Sequence, residues 1–313
     1  MLNHRIITAV VLAVVVFGVI FCLPLQVFNA VTVLLMAAGV WELALMFWPQ
    51  SRLQTQINSQ LFYQLQSQSE NPVTRLHRFL FLSVIVGVAI AGLLYSSFLA
   101  FPILVIGVIW WPVALLILVY YVRTEIGCHE WSAGVNNHEC RKSFDNLLAC
   151  NSLVKYIVGV CIFVPFAIAV NILQVQFGQL YLLYALFLIC SNDIGAYFVG
   201  SFCGKYLLAP TISPKKTLEG LYGGIVLSCV VIICGGFLLK IHGIRWLLWI
   251  TVGIVVGLWS VVGDLFESML KRQAKVKDSG SLLPGHGGVY DRIDSFTAAL
   301  PIFVLCLLLT DFN

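Results

Sequence analysis

Charge is what this sequence has least of: only 10% of its 313 residues are Asp, Glu, Lys or Arg. A soluble domain carries roughly 25%, so the shortage excludes an ordinary water-soluble globule and places the chain in the membrane class. The net charge of +4 is small, and there is no basic tract of the kind that follows a nucleic-acid backbone. A GxxxxGK[ST] loop, an HExxH pair and a GxSxG elbow are all missing. A P-loop NTPase, a zincin and an α/β hydrolase therefore have no support. Cysteine is not scarce, but Cys161, Cys229, Cys234 and Cys306 lie in apolar runs. They read as small hydrophobes in helix cores and not as a disulfide framework. No small-residue cleavage site follows the apolar run after Arg5 cleanly, so that run reads as an uncleaved first helix and not as a signal peptide.

What the sequence does have is hydrophobic length, with 60% of residues apolar. Crossing a bilayer takes roughly 20 mostly apolar residues. Nine runs qualify, near 6–25, 28–48, 79–97, 100–122, 153–173, 178–199, 218–239, 245–264 and 295–311. The expected fold is an all-α, polytopic transmembrane protein. Trp-rich stretches near Trp110 and Trp246 read as membrane interfaces. With nine spans and a cytoplasmic N-terminus, 16 of the 18 Lys and Arg residues fall on the cytoplasmic face; Lys240 and Arg245 alone fall opposite. This asymmetry is the positive-inside pattern. In residues 50–70, Leu53, Ile57, Leu61 and Leu65 recur every four positions among Gln and Ser, which predicts a surface helix at the interface.

Ionisable groups inside spans are costly and need a reason. Glu42, in the second run, reads first as a polar group paired with a neighbouring helix. Asp193 sits beside Asn192 late in the sixth run, next to a stripe of small residues, Ala196, Gly200 and Gly204, that lets helices approach closely. The pair reads as part of a packed polar pocket. Asp264 ends the eighth run; on a continuing helix it shares a face with Ser268 and Lys271, with Glu267 alongside. The stretch Ser213–Gly220 reads SPKKTLEG. Pro214 breaks the chain before a helix expected to begin near Thr217. Ser213 and Thr217 are candidate caps or anion-binding hydroxyls, and Lys215 and Lys216 stand near that helix N-terminus, a site suited to phosphate.

The last cytoplasmic loop is the most specific feature. Lys271, Arg272, Lys275, Lys277 and Arg292 share about 30 residues with Asp264, Glu267, Asp278, Asp291 and Asp294. Between them lies a glycine-rich turn, Pro284-Gly285-His286-Gly287-Gly288, able to bring backbone close to a ligand. Carboxylates beside many cations are the equipment of phosphoryl or nucleotidyl transfer: acids for a hard divalent ion, cations for phosphate oxygens.

The run Ser268–Asp294, SxLKRx4KDxGx2LPxHGGVxDRID, resembles the signature of phosphatidate cytidylyltransferases, the CDP-diacylglycerol synthases, with no departure from the pattern across its 27 positions. Asn192-Asp193-x2-Ala-Tyr-x2-Gly and Ser213-Pro-Lys-Lys-Thr-x-Glu-Gly resemble the same family. Residues 1–150 match it only in general character, as N-terminal spans before a catalytic region over 151–313. The resemblance implies a CTP- and phosphatidate-using enzyme of phospholipid synthesis, dimeric in the membrane. It also implies a Mg²⁺ requirement, with room for a monovalent cation such as K⁺. It places the metal on Asp264 and Asp291; Asp294, three residues after Asp291, is a candidate third support. Lys215, Lys216, Lys271, Arg272 and Arg292 are then expected to offset phosphate charge. Gly287 and Gly288 donate N–H groups, and His286 contacts a phosphate or a carboxylate. Asn192, Asp193, Ser213 and Lys277 are expected against substrate, and Asp278 pairs with a cation. Two rivals stay open: a transporter, against which the one-sided charge argues, and a CTP-using enzyme acting on another lipid such as an isoprenoid. A zinc site from Cys128, His129, His138 and Cys140 has non-standard spacing and is not expected.

Overall fold

The computed structural model describes residues 2–48, 72–131, 151–280, 282 and 287–310. Among the described residues, nine α-helices correspond in order to the nine apolar runs. They are α1 (Leu2–Cys22), α2 (Leu25–Phe47), α3 (Pro72–Leu94), α4 (Ser96–Trp131), α5 (Ser152–Ile172), α6 (Gln179–Cys203), α7 (Leu218–Leu238), α8 (Arg245–Ala274) and α9 (Tyr290–Thr310). Among the described residues, α2 to α9 are each long and apolar enough to cross a membrane, and α1 adds the shorter apolar stretch Ala13–Cys22. The amphipathic segment 50–70, His286 and the side chains of Cys128, His129, His138 and Cys140 lie outside what is described.

Two features stand outside the layout of the apolar runs. First, α8 runs on past the end of its apolar run near 264, as far as Ala274. Charge ends a hydropathic run but not a helix, because backbone bonding continues and polar side chains on one face pair with each other. The helix stops where Lys275 takes a left-handed conformation at φ 58° and Val276 N–H bonds back to Lys271 O at 3.0 Å, a common helix ending. Second, the segment before α7 is a small antiparallel hairpin, β1 (Leu207–Ala209) with β2 (Ser213–Thr217), pairing Leu207 with Thr217 and Ala209 with Ser213. Ser213 is therefore a strand residue and not a helix cap. Thr217 is the cap: its Oγ1 accepts from Gly220 N–H at 3.1 Å. Glu219 ties the hairpin down, accepting from the N–H of Lys205 at 3.0 Å and of Tyr206 at 3.2 Å. A hairpin this short has no alternating pattern to read in sequence.

Small residues set the closest helix pair. A Cβ on Gly220 would stand 2.8 Å from Ala196 O, one on Gly195 2.7 Å from Gly223 O, and one on Gly224 2.7 Å from Asn192 O. The expected stripe on α6 thus lets its backbone meet that of α7. Buried residues from both halves of the chain share one core, which includes Met36, Leu43, Phe81, Trp111, Phe163, Trp249, Phe266 and Phe303. Two cations counted above only as topological signals have packing roles. Arg78, 1% exposed, donates from Nε to Trp48 O at 2.9 Å, and Lys155 donates to Phe47 O at 2.7 Å. Both sit on the last carbonyls of α2, where cations are favoured.

Candidate active site

Helices α6, α8 and α9 and the hairpin meet around a cavity of about 1150 Å³. Its polar limb is lined by Asp193, Ser213, Lys215, Lys216, Thr217, Asp264, Lys271, Asp278, Asp291, Arg292, Asp294 and Ser295. Its other limb is apolar and is built by α1, α2, α5 and α6, through Val16, Val19, Ile20, Phe28, Val31, Leu35, Phe166, Val170, Leu183 and Phe187 among others. One continuous space therefore offers ions at one end and hydrocarbon at the other.

Within the polar limb two lysines are paired with acids. Lys216 Nζ stands 2.6 Å from Asp264 Oδ2, and Ser268 Oγ donates to Asp264 Oδ1 at 3.3 Å. This is the one-face arrangement expected of a continuing α8. Lys271 bridges Asp291 Oδ1, at 2.7 Å, and Glu267 one turn back on its own helix. Asp291 Oδ2 accepts from the N–H groups of Ser279, at 2.9 Å, and Gly288, at 2.8 Å. Asp193, Asp264 and Asp294 are near enough to feel one another's charge, with Lys216 the cation among them and the hydroxyls of Ser260 and Ser295 beside Asp193.

These acids suit a hard divalent cation in kind: oxygen donors, facing a shared cavity, in excess over the cation that pairs with them. Among the described residues no three acidic, His or Cys side chains gather closely enough to ligate an ion by themselves. A Mg²⁺ ion takes one or two carboxylates and completes its shell with water and substrate phosphate.

Several residues expected against substrate are placed elsewhere. Asn192 is 0% exposed and does not line the cavity. Its Nδ2 donates to Gly257 O at 3.3 Å and Ser260 Oγ at 3.5 Å, and its Oδ1 accepts from Ser228 Oγ at 3.3 Å. It joins α6, α7 and α8, and the adjacent Asp193 alone faces the cavity. The Gly288 N–H, expected to meet a substrate oxygen, is used by Asp291. Gly287 has φ 83° and would bring a Cβ to 2.8 Å from Asp291 Oδ2, so its bare backbone serves the same carboxylate. Arg272 turns from the cavity and donates from Nε to Ile212 O at 3.0 Å, fastening the hairpin to α8. Lys277 is exposed and lies off the cavity. Asp278 faces the cavity.

Glu42 pairs with a neighbouring helix, as its sequence position implied, but through backbone. Its Oε1 accepts from Val289 N–H at 3.0 Å; its Oε2 accepts from Tyr290 N–H and Ser279 Oγ, both at 2.8 Å. The participants that sequence reasoning left without a role are Ser279, which bonds both Glu42 and Asp291, and Glu267, fully buried beneath Lys271. The signal for Glu267 was present, since it stands four residues before Lys271.

The chain is similar to known proteins along its whole length. The model of the cytidylyltransferase family matches residues 3–310. A phosphatidate cytidylyltransferase of Pseudomonas aeruginosa is 32% identical over 307 residues, covering 98% of this chain and 97% of that protein. One from Haemophilus influenzae is 31% identical over 323 residues, covering 97% of each. One from Staphylococcus epidermidis is 44% identical over 133 residues, which is 42% of this chain and 51% of that protein. The chain thus matches about half the length of the staphylococcal relative and nearly all of the other two.

Proposed function

The chain belongs to the cytidylyltransferase family, and from that premise we propose that it joins CTP to phosphatidate, yielding CDP-diacylglycerol and pyrophosphate. The observation that carries the reading is the two-ended cavity. A nucleotide triphosphate needs the charged limb and a diacyl lipid needs the apolar one, and here they open into each other.

The lipid brings its own nucleophile, so no Ser or Cys nucleophile is required. A phosphate oxygen of phosphatidate attacks the α-phosphorus of CTP in line. The new P–O bond forms as the bond between the α-phosphorus and its bridging oxygen breaks, and pyrophosphate leaves with that electron pair. Lys215, Lys216, Lys271 and Arg292 line the limb where three phosphoryl groups and the lipid phosphate must be accommodated. Their cations offset the charge that builds on the leaving group, which is the main contribution a protein makes to such transfers. Asp264 and Asp291 would hold Mg²⁺, with Asp193 and Asp294 beside Asp264 and with K⁺ as the monovalent companion; bound there, the divalent ion supplies Lewis-acid stabilisation of the triphosphate. Lys216 and Lys271, each paired with one of those acids, then have phosphate oxygens as their alternative partners. Asp193 and Ser213 stand at the cavity wall to contact substrate.

The protein sits as a multi-pass protein, and as a homodimer, in the cell's inner membrane. Its N-terminus and charged cavity mouth face the cytoplasm, where CTP is available. The test is product formation by purified protein in mixed micelles with phosphatidate and α-labelled CTP, with and without Mg²⁺. Label enters a lipid-soluble product only when both substrates and the ion are present. No label from phosphatidate would overturn the assignment, and label entering only an isoprenyl phosphate would move the lipid class.

A further inference from the structure

A single buried carboxylate closes the base of the segment that precedes Asp291. Glu42, on α2, is 1% exposed. It binds Ser279 at one end of that segment and the N–H groups of Val289 and Tyr290 at the other. Those two N–H groups stand at the N-terminus of α9, where helix donors lack partners within the helix and a carboxylate is favoured. Glu42 is 247 positions from Val289 in sequence, so the N-terminal half of the chain holds the catalytic half by this contact. Space for the carboxylate is built in. A Cβ on Gly280 or on Gly288 would collide with its oxygens.

The same segment ends carry the donors to Asp291. Ser279 N–H and Gly288 N–H both bond its Oδ2, while Ser279 Oγ, which donates to Glu42, accepts from Asp291 N–H at 3.3 Å. Glu42 does not touch the cavity; it acts one bond away from the carboxylate that does.

We infer that Glu42 is a positioning residue for nucleotidyl transfer: by clasping Ser279, Val289 and Tyr290 it sets the place of Asp291 at the reacting phosphates. This rests on the activity proposed above. The amide of Glu42→Gln cannot replace it, since in either orientation an N–H of the side chain faces a backbone N–H. Glu42→Asp keeps the charge near the helix N-terminus and recovers part of the function.

The experiment compares wild type, Glu42→Gln, Glu42→Asp and Gly280→Ala, purified in micelles. Gly280→Ala displaces the carboxylate without changing any charge, and so covers the case in which Glu42→Gln does not fold. Three quantities are read: kcat and KM in the CTP–phosphatidate assay, hydrogen exchange at Val289 and Tyr290, and exchange across the other helices. The expected result for Glu42→Gln and Gly280→Ala is a kcat lower by roughly 10²-fold, the loss that a misplacement of about 1 Å produces. KM for phosphatidate stays within about twofold, because the apolar limb is untouched. Exchange at Val289 and Tyr290 accelerates by about tenfold or more while the rest of the protein is unchanged. Wild-type kcat, unchanged exchange at those two amides, or equal loosening of every helix would each overturn the inference. If wild type makes no product, the proposed activity fails, and the exchange comparison alone decides the clasp: unchanged amides overturn it.

Discussion

Replacing Asn192 separates the structural account from the sequence-based expectation most cleanly. Sequence pattern put Asn192 against substrate; the structure buries it among α6, α7 and α8. Asn192→Ala removes three interhelical hydrogen bonds, of 3.3, 3.5 and 3.3 Å. Side-chain bonds between helices in membranes average about 0.6 kcal/mol; these are long, so their summed loss is roughly 1–2 kcal/mol. The truncation also leaves Gly257 O, a buried acceptor, without this donor, which adds to the cost. The total expected is about 2–3 kcal/mol of helix-packing stability. It is measured by reversible unfolding in mixed micelles, alongside KM for CTP and phosphatidate on the fraction that remains folded. The account predicts a lower unfolding midpoint with both KM values within about twofold of wild type. A variant of unchanged stability with a KM raised about tenfold would refute it and return Asn192 to the substrate.

Other variants test the remaining parts of the site. Asp264→Asn and Asp291→Asn each abolish CTP-dependent product, a fall of at least about 10³-fold of the kind seen when a transition-state charge partner is lost, while membrane insertion judged by fractionation is normal. Arg272→Ala lowers kcat modestly, by roughly tenfold or less, because it frees the hairpin carrying Lys215 and Lys216 from α8; faster hydrogen exchange in Leu207–Thr217 accompanies the loss. Leu183→Trp fills the apolar limb and raises KM for long-chain phosphatidate by about tenfold while KM for CTP stays constant, as a kinetic comparison across acyl lengths would show.

Much of this architecture was legible because the membrane imposes lengths. Nine apolar runs became nine helices, and the small-residue stripe at Ala196, Gly200 and Gly204 marked a close helix contact. The acid–cation loop was legible as chemistry because such a density of charge in a chain this apolar requires a ligand or mutual pairing. Detailed placement was not legible, for physical reasons. Asn192 and Asp193 are adjacent, yet on a helix successive residues point about 100° apart, so one faces the cavity and its neighbour a helix junction. Hydropathy ended α8 near Asp264, though its polar turns stay helical through Arg272 and so carry Lys271 to Asp291. The hairpin at Leu207–Thr217 lacks a readable period. Two of the three partners of Glu42 are backbone groups far along the chain, and backbone donors leave no mark in residue identity. Gly288 was visible in a glycine-rich turn and Gly280 as one position of the Ser268–Asp294 run, but both make room for that carboxylate.

The central claim is that one cavity brings a membrane lipid's phosphate to groups that handle a soluble nucleotide. A phosphatidate carrying a photoreactive group at the end of one acyl chain tests it most directly, with the crosslinked residues mapped by mass spectrometry. The account predicts labelling confined to the apolar limb, at residues such as Val19, Leu35 and Phe187, and suppressed by unlabelled phosphatidate. Labelling spread over the outward-facing helix surfaces, with no competition by unlabelled lipid, would contradict it.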